Sequence, residues 1–251
     1  GMQRMPRFLS AVLLCLTTMA AQAGDAQIAV AANFSAPAKR IAEAFEHASG
    51  HKATLVTGAT GKFHAQIVNG APFDVLLAAD DDTPAKLERE GHATGPRFTY
   101  AIGRLVLWSA TPGLVDGDGA VLKRGSFRHI AVANPRLAPY GQAAMETLAA
   151  LGLAERLRPR FVLGENIAQT HQFVASGNAE LGFVALAQVT KDGRIGDGSG
   201  WIVPAQLHQP IRQDAVLLAH GRGNAAAKAF LEWLKGDDAK ATIRSFGYDL
   251  P

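Results

Sequence analysis

The segment Ala29-Val30-Ala31-Ala32-Asn33-Phe34-Ser35-Ala36-Pro37 decides the fold of this chain. Its apolar first half is typical of a buried strand. Pro37 is typical of the first position of a helix, where its missing N–H would be unpaired in any case. Ser35 is predicted to be the N-cap of that helix. The free backbone N–H groups and the positive end of the helix dipole then lie where the strand ends, which favours an anion there.

The same strand-to-helix junction recurs three times along the chain. The later junctions are residues 57–61, with Ala59 and Thr60, residues 133–141, with Tyr140, and residues 164–167, which end at Ile167. Thr60 is the predicted N-cap of its helix. Up to residue 91 the elements alternate β-α-β-α-β-α, and residues 129–186 repeat the alternation. This order predicts an α/β protein with two lobes, each built on a mostly parallel sheet flanked by helices.

Two long apolar runs, residues 98–109 and 211–219, are predicted to carry the chain from one lobe to the other and back. The first lobe would hold residues 24–105 and 216–251, and the second lobe residues 106–215. Hinges are expected near residues 105–107 and 215–217. A ligand would lie in the cleft between the lobes, at the carboxyl ends of the strands.

At the turns themselves, the four junctions offer only uncharged hydrogen-bond donors to that cleft; these turns are residues 32–33, 59–60, 139–141 and 166–167. Backbone N–H groups are joined by the side chains of Asn33 and Thr60, and the nearest charged residue of the last junction is Glu165. Such donors suit a fully ionised anion and would leave a protonated one with an unpaired donor. Each junction alone is explained by ordinary helix capping. Four such junctions, distributed over both lobes, favour a ligand-binding site. The expected ligand is a tetrahedral dianion such as molybdate, tungstate or sulfate.

The N-terminus has the pattern of a cleavable signal peptide. Arg4 and Arg7 precede an apolar run, and residues 21–23 form an A-x-A cleavage site, so residues 1–23 are expected to be removed, with Gly1 an artefact of cloning. The expected location is the periplasm. The single cysteine, Cys15, lies inside this segment, and the bulky Leu14 before it disfavours the alternative of a lipoprotein signal.

Charge indicates no polyanionic partner. The chain of 251 residues has 25 Lys and Arg against 22 Asp and Glu, and loss of Arg4 and Arg7 reduces the net charge from +3 to +1. The basic residues are scattered along the chain and form no cluster. The composition therefore indicates neither nucleic acid nor an anionic membrane as a partner, and we expect a monomer.

Other kinds of site are weaker interpretations. His129, His171, Asp214 and Ser35 could be read as a hydrolase, but the G-x-S-x-G motif is missing and Ser35 reads better as a helix cap. The histidines lack H-E-x-x-H spacing, and residues 80–82 read as a solvated loop before a helix rather than a cation site. We therefore predict no catalytic residues, no cofactor and no free metal cation. An exported hydrolase of phosphorylated or sulfated substrates is the alternative from another class.

Residues 27–251 resemble the periplasmic molybdate-binding proteins that serve ABC transporters. The resemblance rests on several segments together: AANFS at 31–35, GATG at 58–61, AQIVNGAPFDV at 65–75, FTYAIGRLVLWS at 98–109, ANPRLAPYG at 133–141, GENI at 164–167 and LGFVALAQ at 181–188. It implies a type II periplasmic binding fold, with two mixed sheets and one oxyanion in the cleft. It also implies delivery of molybdate or tungstate to an inner-membrane permease. A protein for another oxyanion, such as sulfate, is the alternative within the class.

The resemblance also implies the residues of the site. Asn33 and Thr60 would donate from the first lobe, Tyr140 and Ile167 would donate backbone N–H groups from the second, and Ala32 and Ala59 would line the pocket. Some relatives have a hydroxyl residue in place of Ala32, and others a tyrosine in place of Ala185. We expect Tyr140 to take over part of the role of that tyrosine.

Overall fold

The computed structural model describes residue 1 and residues 22–251, so that the predicted signal peptide falls almost entirely outside the described residues. The strands, in chain order, are β1 Asp25–Ala31, β2 Lys52–Gly58, β3 Val75–Leu77, β4 Ala93–Gly103, β5 Leu105–Ser109, β6 Ile130–Ala133, β7 Phe161–Gly164, β8 Leu181–Ala185, β9 Thr190–Lys191, β10 Arg194–Ile195, β11 Ser199–Ile202 and β12 Ile211–Leu218.

Helices connect most of these strands. The α-helices are α1 Ser35–Ser49, α2 Thr60–Val68, α3 Asp82–Arg89, α4 Val121–Arg124, α5 Pro139–Ala150, α6 Ala154–Leu157, α7 Ile167–Ala175, α8 Leu186–Val189, α9 Ala225–Leu234 and α10 Asp237–Ser245. Short 3-10 helices lie at Ala32–Phe34, Arg158–Arg160, Ala205–Leu207 and Ala219–Gly221. No helix in residues 22–251 combines the length and the apolar character needed to cross a membrane.

Two five-stranded sheets repeat one topology. The first has the order β2-β1-β3-β12-β4 and the second the order β7-β6-β8-β5-β11. In each sheet the first three strands are parallel and the last two run antiparallel to their neighbours. Because the chain order reverses direction across β1 in one sheet and across β6 in the other, the carboxyl ends of these strands are switch points, where α/β proteins bind ligands. The predicted pair of mixed sheets flanked by helices is confirmed.

Both faces of each sheet are covered, because the helices present apolar stripes to them. On one face of the first sheet, Ala38, Ile41 and Phe45 of α1 are buried with Phe230 of α9. Helix α1 ends at Gly50, whose φ of 75° is readily adopted only by glycine. Leu87 of α3 is buried on the opposite face. A separate cluster buries the face of the second sheet that packs against α5.

The chain changes sheets at places that differ from the prediction. β4 ends at Gly103 in the first sheet and β5 begins at Leu105 in the second, so the run at residues 98–109 is two strands joined by Arg104. The return lies in residues 203–210, between β11 and β12. The predicted hinge at residues 215–217 is wrong, because Ala215 and Leu217 pair with Leu77 and Val75 inside the first sheet. Residues 211–215, predicted for the second lobe, pair with β4.

Candidate functional site

The first element of the site is the turn that follows β1. Ala32–Phe34 form a 3-10 turn that leads directly into α1, so Ser35 is the first residue of the α-helix and not its cap, contrary to our prediction. Asn33 is 3% exposed, and its side-chain Oδ1 accepts a hydrogen bond of 2.8 Å from the Tyr248 hydroxyl. Within residues 22–251 neither its backbone N–H nor its Nδ2 donates to a protein acceptor. Asn33 therefore presents two unused donors at the end of β1.

The second element is the turn that follows β2. Ala59 occupies the N-cap position and Thr60 is the first residue of α2, so the predicted N-cap role of Thr60 is wrong. The Thr60 Oγ1 instead accepts a hydrogen bond of 3.0 Å from the backbone N–H of Ala79, which follows β3. A hydroxyl that accepts in this way still has its own proton to donate. Thr60 is 1% exposed, so this donor is held in a fixed, dry position.

The second sheet supplies two further helix starts. Pro139 is the first residue of α5, and the following Tyr140 N–H has no protein acceptor in the described part of the chain. Ile167 is the first residue of α7, where the Asn166 side chain caps the helix by accepting from the Gln169 N–H at 2.9 Å. The Ile167 N–H is equally without an acceptor among the described residues. Each helix thus begins with an N–H that is free to bind a ligand.

The structure brings the four turns together at the junction of the two sheets. The Gly61 N–H donates to the Leu137 carbonyl at 2.9 Å, which joins the start of α2 to the loop before α5. The 3-10 turn at Ala32–Phe34 contacts α7. Ala32, Tyr140 and Ile167 also belong to one continuous buried cluster. All six predicted site residues are buried: Ala32, Asn33, Ala59, Thr60, Tyr140 and Ile167.

The electrostatics of the site come from dipoles rather than from formal charges. None of the six residues carries a charge at neutral pH, and the ion pair nearest to them along the chain, Lys62–Glu165 at 3.4 Å, is exposed. Burial raises the pKa of Asp80, one residue beyond Ala79, to about 6. Thr83 holds that carboxylate with its N–H and its hydroxyl, at 3.2 and 2.9 Å. The arrangement can therefore hold an anion with neutral donors and aligned helix ends.

The side-chain hydroxyl of Tyr140 has a hydrogen-bond partner inside the protein. Its hydroxyl donates to Gln213 Oε1 at 2.8 Å in the buried interior. Since a phenol has a single proton, the hydroxyl cannot also donate to a ligand, and only the backbone N–H remains for that purpose. The expectation that Tyr140 takes over part of the role of the tyrosine missing at Ala185 is therefore confined to its backbone N–H.

Two contributors to the site escaped the sequence analysis, Gln213 and Tyr248. Gln213 links the hydroxyls of Tyr140 and Tyr100, and Tyr100 donates to the Ala78 carbonyl at 2.7 Å. Burial raises the pKa of Tyr140 and Tyr248 above the ordinary range, so both remain neutral. The one sign of this network in the sequence is the scarcity of tyrosine. The chain has only three tyrosines, and all three belong to the network.

The competing kinds of site have no geometric support in the described residues. Asp214 accepts hydrogen bonds from Arg97 at 2.9 Å and Thr99 at 2.6 Å, not from a histidine. His171 stacks on Trp108, with ring centroids 5.1 Å apart. No group of three or more His, Cys, Asp or Glu residues within the described part of the chain could hold a metal ion.

Comparison with known proteins identifies the family of the chain. Residues 26–249 match the family described as bacterial extracellular solute-binding protein. The molybdate-binding protein ModA of Azotobacter vinelandii is 58% identical over 236 residues, which cover 94% of each chain. The protein of the same name from Rhodobacter capsulatus is 50% identical over 230 residues, which cover 91% of this chain and 89% of that relative.

A solved structure extends the similarity to three dimensions. The periplasmic molybdate-binding protein of Azotobacter vinelandii superposes with a TM-score of 0.87 at 44% identity, over 90% of this chain and 99% of that one. These relatives bind a solute and are not enzymes, so the hydrolase alternative is dropped. The chain belongs to the bacterial extracellular solute-binding protein family, together with the molybdate-binding proteins named ModA.

Proposed function

We propose that this protein captures molybdate at the junction of its two sheets and delivers it to an ABC permease of the inner membrane. One observation carries the proposal. Four helix starts from both sheets meet there, and their uncharged donors, at Asn33, Thr60, Tyr140 and Ile167, are buried and without protein acceptors in the described chain. A donor without a protein partner must be satisfied by water or by a ligand, and a group of four such donors at helix starts favours an anionic ligand.

The donors select the class of ligand. They can donate to oxygen but cannot accept a proton from the ligand, so a fully ionised oxyanion satisfies them and a hydrogen-bearing one does not. Hydrogen bonds to a charged oxygen are about twice as strong as neutral ones, and the helix dipoles add to them. A dissociation constant of about 1 nM corresponds to about −12 kcal/mol, which such donors can supply when they are already in position.

Molybdate is favoured over other oxyanions by the relatives, which bear the name molybdate-binding protein at 58% and 50% identity. Tungstate has the same charge and shape and nearly the same size, so we propose that it binds at the same site. Sulfate is smaller, and donors fixed in a dry site cannot all follow it inward. The site residues Ala32 and Ala59 would contribute walls rather than donors.

The fold supports a mechanism in which two lobes close on the ligand. On the sheet pairing, the first lobe holds residues 24–103 and 211–251, and the second lobe residues 105–202. The connections are Arg104 and residues 203–210, and these are the proposed hinges. The hydrogen bond from Gly61 to Leu137 joins the two lobes beside the site and would form on closure.

Export completes the proposal. The A-x-A site at residues 21–23 would be cut after Ala23, and the mature protein would act in the periplasm as a monomer. Mass spectrometry of protein recovered from the periplasm tests the cleavage, since an N-terminus at Gly24 is expected.

The experiment that tests the function is titration calorimetry of residues 24–251 with molybdate, tungstate, sulfate and phosphate at pH 7. The expected result is 1:1 binding of molybdate and tungstate, with sulfate at least 100-fold weaker, or about 2.7 kcal/mol. Ser35→Ala serves as a control for mutational disturbance, because Ser35 lies beside the site but outside the donor set. Sulfate binding as tight as molybdate would make the protein a general oxyanion receptor, and no binding of molybdate would refute the proposal.

A further inference from the structure

Tyr248, near the C-terminus, contacts the ligand-facing Asn33 from behind. Its hydroxyl lies 2.8 Å from Asn33 Oδ1 and 2.9 Å from the Asn33 backbone oxygen. Both atoms are acceptors, so the single phenolic proton is shared between the side chain and the backbone of one residue. Tyr248 is 4% exposed and Asn33 3%, so water does not compete for these bonds.

The orientation of the Asn33 amide decides what it can do. An asparagine side chain has an acceptor on one end and a donor on the other, and a rotation of about 180° exchanges them. With Oδ1 held on the tyrosine side, Nδ2 points away from Tyr248, where it has no acceptor among residues 22–251. In the reverse orientation the carbonyl oxygen would face the anion and repel it.

We infer that Tyr248 is a positioning residue for oxyanion binding, which fixes the Asn33 amide with its Nδ2 toward the ligand. The inference rests on the proposed function for the identity of the ligand. Tyr248 itself does not contact the oxyanion. Its aromatic ring is held edge-on by Phe34, with ring centroids 5.4 Å apart, and its hydroxyl lies in the network that includes Tyr140.

The network gives Tyr248 a single protonation state. Burial raises its pKa well above the ordinary value, and the neighbouring Tyr140 and Tyr100 raise it further. The hydroxyl is thus always a donor in the range where the protein works. This fixed donor explains how an amide with two nearly isosteric ends can serve an anion site with one defined orientation.

A double-mutant cycle tests the inference by calorimetry with molybdate. Tyr248→Phe keeps the ring and removes the proton, so it is expected to weaken binding about tenfold. In the Asn33→Ala background the same change is expected to have no effect, because there is no amide left to orient. Equal weakening in both backgrounds would mean a general structural role, and no weakening in either would mean that the orientation is set elsewhere. Both results overturn the inference.

Ser109→Ala is the control variant. It also removes a buried hydroxyl proton, the one that Ser109 donates to the Glu180 carbonyl, and Ser109 makes no hydrogen bond with Asn33 or with the three tyrosines. The variant is expected to lower the melting temperature, while the affinity for molybdate stays within about twofold of the wild type.

A measurement without ligand separates this inference from the proposed function. In ¹⁵N NMR spectra the Asn33 side-chain amide is identified as the signal that Asn33→Ala removes. Tyr248→Phe is expected to shift that signal and Ser109→Ala to leave it in place. If wild-type protein binds no molybdate but the signal shifts as expected, the proposed function fails and the positioning role stands. An unshifted signal refutes the positioning role.

Discussion

At the scale of the residue, Thr60 combines two hydrogen bonds in one hydroxyl. Its oxygen accepts from Ala79 and its proton remains for the ligand. Thr60→Ala removes both, so we expect the affinity for molybdate to fall about 10- to 100-fold and the stability by about 1–2 kcal/mol. Thr60→Ser should restore most of each, and Ser35→Ala should leave the affinity unchanged. Calorimetry and thermal melts check this, and equal loss of affinity in Thr60→Ala and Ser35→Ala would contradict it.

Asp80 gives a pH dependence of stability with a defined sign. Its folded pKa of about 6 lies above the unfolded value of 3.8, so the folded chain holds the proton more tightly. The associated stability is complete below about pH 4 and is lost as the pH rises to about 6. Asp80→Asn should therefore stabilise the protein at pH 7, by on the order of 1–3 kcal/mol, and should flatten the profile between pH 4 and 6.

Asp116 provides the opposite case for comparison. The backbone N–H of Ala120 is the main cause that lowers its pKa, and Asp118 and Arg124 add to it. Asp116→Asn should lose stability at pH 7 while Asp80→Asn gains it. Denaturant unfolding of both variants at pH 4 and pH 7 decides the matter. A loss of stability in Asp80→Asn at pH 7 would show that the carboxylate is stabilised rather than penalised by its surroundings.

The site residues marked by local sequence patterns were predictable, and the contacts between residues far apart in the sequence were not. Asn33, Thr60 and Ile167 lie at strand ends that local pattern marks, so the sequence points to them. The partner of Asn33 is 215 residues away, and no local pattern can pair it with Tyr248. The predicted N-cap role of Thr60 was wrong for a related reason. Its hydroxyl accepts from the Ala79 N–H, beyond β3, rather than from an N–H of its own helix.

At the scale of the element, the start of α2 is packed so closely that a side chain at residue 61 would displace its neighbours. A Cβ there would lie 3.0–3.2 Å from backbone atoms of Leu137 and Arg136 in the loop before α5. Gly61→Ala should therefore push the two loops apart by a few tenths of an ångström. We expect about a tenfold loss of affinity, seen mainly as faster release of molybdate, because misplaced donors lose their geometry.

Gly117→Ala is the control for this change, since no heavy atom lies within 4 Å of the position of its added Cβ. It should change neither the affinity nor the rate of release. Stopped-flow displacement of molybdate by excess tungstate measures both variants. Release from Gly61→Ala at the wild-type rate would show that the contact between α2 and the loop before α5 does not affect the bound state.

The elements themselves were predictable because helix and strand periods are local. The stripe of Ala38, Ile41 and Phe45 defines α1, and Gly50 ends it where expected. The change of sheets was not predictable, since the long apolar run of β12 reads the same whichever sheet it joins. Only the pairing of β12 with β3 and β4 shows that it belongs to the first sheet, and strand pairing depends on residues far apart in the sequence.

At the scale of the whole molecule, ligand binding should be visible as stability. Because the ligand binds only the folded chain, molybdate at 100 times its dissociation constant should add about 2.7 kcal/mol. For a domain of this size that corresponds to a rise of roughly 5–10 °C in the melting temperature. Scanning calorimetry at several molybdate concentrations checks it. A melting temperature independent of molybdate would contradict the proposed function, and an equal rise with sulfate would contradict its selectivity.

The neutrality of the donor set has a kinetic consequence. A receptor with a cationic pocket draws anions in from a distance, and dissolved salt weakens that pull. Here the attraction between the helix dipoles and the anion acts only within the first turn of each helix, a distance too short for counterions to come between them. The encounter rate with molybdate should therefore stay nearly constant as sodium chloride rises from 10 to 500 mM. A protein built in this way would load its anion equally fast in dilute and in salty surroundings.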